Sequence, residues 1–232
     1  MAVNVDTVYR TVLLILNKEQ RGYMTPDEFN KIGSQVQRQI FEAYFEDLNQ
    51  QLRIPQSDVE YSDRVAITDE KIAEFKTEAA PTGANPFTVP TDLYRLGSVT
   101  SEQTNRPITE IQRVGRADYY NLIKSQLTAP SLTHPIYLYE NDQLIISPSS
   151  INSNVKVQYV KKPLDINWAF TTGSLGQLLY DSVNSVDFEL HNSERTEIIL
   201  RILLYQGIVI RDPQIVQVAA QKIQQEEVNE KS

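Results

Sequence analysis

A chain of 232 residues with 41% hydrophobic and 22% charged residues holds enough apolar material for one sizeable core or two modest ones. Its balance is that of a globular protein, not a disordered one. It contains no cysteine, which excludes disulfide scaffolds and thiolate zinc sites. The formal net charge of −8 is the reverse of what a protein gripping nucleic acid from outside presents; it suits solubility, or a passage through which nucleic acid slides without capture.

In chain order, the first predicted helix runs from Asn4 to about Gln20. Asn4 serves as N-cap, Val5, Val8, Tyr9, Val12, Leu13 and Leu16 recur at helical spacing, and Gly22 supplies the stop. The second opens with Thr25-Pro26-Asp27-Glu28: Thr25 is the N-cap, Pro26 takes the first helical position, and Glu28 reaches back to close a capping box. Ile32, Val36, Ile40, Tyr44, Leu48 and Leu52 then repeat every four residues, with Phe29, Phe41 and Phe45 flanking, until Pro55 ends a helix on the order of 40 Å long.

Beyond Ser57 the chain is acidic and punctuated by proline, with short strands expected at 59–61 and 65–67. Further strands are expected at 96–100, 107–114, 135–140, 143–147, 154–161 and 177–181, with a short helix from Arg116 to Leu127. Asn141-Asp142 suits a tight hairpin turn. A strongly apolar helix capped by Asn192 or Ser193 runs to Ile210, and a last helix restarts at Asp212-Pro213 and fades after about Glu227. The fold expected is α+β. A helical part comes from residues 1–56 and 190–232, and a central antiparallel β-rich part with one short helix comes from residues 57–189.

The search for chemistry returns little. The only histidines, His134 and His191, lie in a turn and before a helix cap, and there is no nucleophile elbow. Two histidines without thiols do not make a usual zinc site, and the segment 171–176 lacks the spacing and lysine of a phosphate loop. Glycine is scarce, 8 residues where average usage gives about 16. No catalytic, cofactor or metal residue is assigned, and the chain is read as non-enzymatic. Arg106, Arg113 and Arg116 beside Tyr119 and Tyr120 read as a salt-bridge set at a strand edge and helix start. Trp168 is open between anchoring a loop to the core and meeting a partner. What remains is contact surface. Phe41 and Phe45 on the long helix, and Ile215, Val216, Ala219, Ala220 and Ile223 on the last, are the expected partner-contact residues.

Residues 1–16 have no basic n-region or cleavage site, and the apolar runs at 12–16 and 198–210 fall short of the ~20 residues that cross a bilayer. The expectation is a protein made in the cytosol with no membrane partner.

Four segments together carry a resemblance. They are Leu16 to Asn30 (LNKEQRGYMTPDEFN), Val155 to Pro163 (VKVQYVKKP), Val186 to His191 (VDFELH) and Gly207 to Pro213 (GIVIRDP). In this order they resemble virion proteins of tailed phages of Bacteroidetes, the crAss-like group and its relatives. The resemblance implies a ring-forming head–tail connector in a short tail, stacked below the portal. It implies about twelve copies around the channel through which DNA leaves the head, with DNA met only in passing. The family has no catalytic residues to carry over. The alternative is a non-enzymatic binding or scaffold module acting as monomer or dimer.

Overall fold

Capped apolar helices at both ends of the chain and alternating strands between them assemble, in the computed structural model of the protein, into an α+β fold. The structure describes residues 2–18, 23–51, 67–103, 107–210, 217–218 and 220–225, with backbone alone at 18, 46–51 and 208–210. Gly22, Pro55, the expected strand at 59–61, Arg106 and the restart at 211–216 lie outside the described residues. Two units form: Met1–Glu74 with Pro163–Ser232, and Phe75–Lys162. These boundaries differ from the 57 and 189 drawn on the sequence, because the segment after Pro163 bonds to the N-terminal helices.

The first unit is built on three long helices. Helix α1 (Val5–Lys18) is capped as its sequence dictates: Asn4 Oδ1 accepts from the Thr7 N–H at 3.0 Å. Asp187 adds a second acceptor, taking the Val5 N–H at 2.8 Å. Helix α2 (Pro26–Gln51) has its capping box closed both ways. The Glu28 N–H donates to Thr25 Oγ1 at 3.3 Å, and the Thr25 N–H donates to Glu28 Oε2 at 2.9 Å. The stripe Phe29, Val36, Ile40 and Tyr44 faces inward. Residues 67–73 form a short helix, α3, so Ile67 begins a helix where a strand was expected.

Helix α5 (Arg195–Ile210) buries Ile198 and Ile202 completely and packs on α1 and α2. Ile199, Leu200 and Leu204 are only half-buried, so one side of this helix is less covered than its composition suggested. Neither Asn192 nor Ser193 caps it. A 3₁₀ turn, Asn192–Glu194, precedes it, and the His191 ring Nδ1 accepts the Ser193 N–H. Strand β1 (Ala2–Val3) pairs antiparallel with β11 (Phe188–His191), tying the chain's first residues to the segment before α5.

The second unit is a curled seven-stranded sheet. Its strands are β2 (Lys76–Ala79), β3 (Phe87–Thr88), β4 (Leu93–Ser101), β5 (Thr109–Arg113), β6 (Ile136–Glu140), β7 (Gln143–Ser147) and β8 (Val155–Lys161), in the order β2-β8-β4-β5-β6-β7-β3. All neighbours are antiparallel except β5 and β6. Helix α4 (Arg116–Lys124) makes the crossover between those two, and returning the chain to the same end forces the parallel pair and a mixed sheet. The β6–β7 turn is the one the sequence indicated: Asn141 and Asp142 both sit at positive φ, 50° and 55°, the two left-handed residues of a type I′ hairpin. Strand β8 alternates Val155, Val157 and Tyr159 into a core shared with Phe87, Val99, Ile111 and Leu144. Strand β6 sends Ile136 and Leu138 the other way, under Tyr119 and Leu122 of α4.

Candidate assembly surfaces

The expected contact residues divide. Phe41 is 2% exposed and lies in the core of its unit, so it is not free to meet a partner. Placed on the inward stripe beside Ile40, it is enclosed by the fold. Phe45 is half-buried and packs edge-on against Phe41, ring centres 5.1 Å apart. Ile215, Val216 and Ala219 lie outside the described residues. Ala220 and Ile223 are half-buried within helical residues 220–225, and Ile223 joins Gln39, Ala43, Arg201 and Leu204 around an open cleft of about 510 Å³.

The tyrosines divide between core and surface: Tyr23, Tyr94 and Tyr120 are exposed. Tyr9, Tyr44, Tyr119, Tyr137 and Tyr159 are all buried. Burial pushes the phenols of Tyr9, Tyr119, Tyr137 and Tyr159 up from their ordinary value. Tyr9 donates to the Met24 carbonyl at 3.0 Å and Tyr159 to Asp92 at 2.9 Å. Of the arginine cluster, Arg113 lies over the Tyr139 ring at 5.7 Å and Arg116 approaches Glu140 at 3.7 Å.

Two carboxylates sit close together inside the first unit. Glu194, 3% exposed, pairs with Lys71 Nζ of α3 at 2.7 Å and accepts from the Ser193 hydroxyl at 3.2 Å. Glu197 receives Arg201 at 2.5 Å. Burial, and then the neighbouring Glu194, push the Glu197 carboxyl up to about 7, with Arg201 pulling the other way. Burial also opposes the charge of Glu194, but the Lys71 ammonium together with hydrogen bonds from Glu197 and Ser193 holds that carboxyl below its ordinary value. Paired carboxylates of opposed shift are the raw material of acid–base catalysis. Neither, however, is among the residues lining the cleft, and each is closed off by its own cation. Among the described residues no group of three or more His, Cys, Asp or Glu could hold a metal ion, and no helix is long and apolar enough to cross a membrane.

The surface that sequence reasoning missed is a hairpin. Strands β9 (Phe170–Thr172) and β10 (Leu178–Tyr180) pair only with each other, Phe170 opposite Tyr180 and Thr172 opposite Leu178. Trp168, open on the sequence between core and partner, proves to be its root. It is 5% exposed, 4.5 Å from Tyr9 and stacked on Phe170 and Tyr180, and its indole N–H donates to Asp6 at 3.0 Å. Beyond the root, apolar side chains stand in solvent: Leu175 is 90% exposed and Leu179 49%. The signal was present as an uncharged run from Ile166 to Tyr180 containing two glycines. In the other unit Tyr120 and Ile123 of α4, Leu127 after it and Ile108 before β5 are exposed. Comparison with protein-family models and with curated proteins finds no match to this sequence.

Proposed function

We propose that this chain is a non-enzymatic structural virion protein, a ring-forming head–tail connector subunit that surrounds the DNA channel below the portal. The observation that carries the reading is apolar surface left open in both units, at Leu175 and Leu179 in one and at Ile108 and Leu127 in the other. Leucines as open as Leu175, 90% exposed, and Leu127, 94% exposed, are candidates for protein contact, and a subunit of a stacked ring needs contact both with its neighbours and with the tier above or below. The resemblance to virion ring proteins supplies the identity of those contacts, and the four segments that carry it are spread between Leu16 and Pro213. A net charge of −8 suits a channel wall that passes DNA without holding it.

The test is the mass of the purified protein by light scattering, alone and mixed with the portal of its phage. The expected result is a closed oligomer of about twelve copies, formed alone or on the portal. A species that stays monomeric or dimeric and ignores the portal overturns the connector reading and gives the lead to a binding or scaffold module.

A further inference from the structure

We draw no further inference here: the strongest candidate, the exposed end of the seven-stranded sheet where Lys76 of β2 and Arg95 of β4 flank Val160 of β8, offers only a charge that any acidic surface would satisfy, and nothing in the structure shows what covers it.

Discussion

Lys71, Glu194, Glu197 and Arg201 bring two acids and two bases into a space where the side chains of Glu197 and Arg201 are each only 19% exposed. Networks of this kind add little net stability, because desolvation offsets the attraction, yet breaking one is destabilising. Here the two acids respond to pH in opposite directions. With its pKa raised from 4.5 to about 7, folded Glu197 holds a proton across that window while the unfolded chain has released it. Its effect on stability therefore worsens as pH rises from about 4.5 to 7. Glu194 is lowered, so its contribution is present above the unfolded value and is lost as pH falls through the lower folded one. Glu197→Gln is expected to flatten the decline in melting temperature between pH 5 and pH 8 relative to wild type, as read by circular dichroism. An identical decline in both proteins would mean that Glu197 is ionised throughout. None of this was visible in the sequence. Glu194 and Glu197 are ordinary acids at a helix start, and only the arrival of α3 with Lys71 makes them a network.

Among the elements, those written by local chemistry are where the sequence placed them. The Thr25–Glu28 box, the Asn4 cap and the Asn141-Asp142 turn each need only residues three or fewer positions apart, so their geometry is legible without the fold. Strand β4 differs, because its position depends on a partner. It pairs with β8 through register shifts between Leu93 and Arg95 and between Leu96 and Val99. Within the second shift, a Cβ on Gly97 would stand 2.8 Å from the Gln158 carbonyl oxygen. Backbone does not yield as a flexible side chain does, so Gly97→Ala is expected to destabilise the protein by about 1–3 kcal/mol. Urea unfolding checks it, and a variant as stable as wild type would show that the two strands can part without loss. Strand β9 and the two-residue β1 escaped the sequence reading because strands of two or three residues have too few positions to show a period.

At the scale of the whole molecule, the second unit is one uninterrupted stretch, Phe75–Lys162, whereas the first is assembled from both ends of the chain. The uninterrupted unit has its own core around Val99, Ile111, Leu144 and Val157. A fragment of residues 75–162 is therefore expected to unfold cooperatively with heat, with tyrosine near-ultraviolet dichroism that disappears in the same transition. A fragment without a transition would mean that this core depends on the remainder of the chain.

By itself the sequence determined the fold class, the starts of the first two helices, the hairpin turn and the acidic balance, because each follows from propensities and charges that act over a few residues. Only the tertiary structure decided which apolar residues remain for a partner. Phe41 looks available on the sequence and is enclosed, as are Tyr9, Tyr44, Tyr119, Tyr137 and Tyr159. Leu175 looks like loop and stands exposed in a hairpin. Exposure is the area left after every other segment has packed, a sum over contacts distant in the chain, and no local pattern carries that sum.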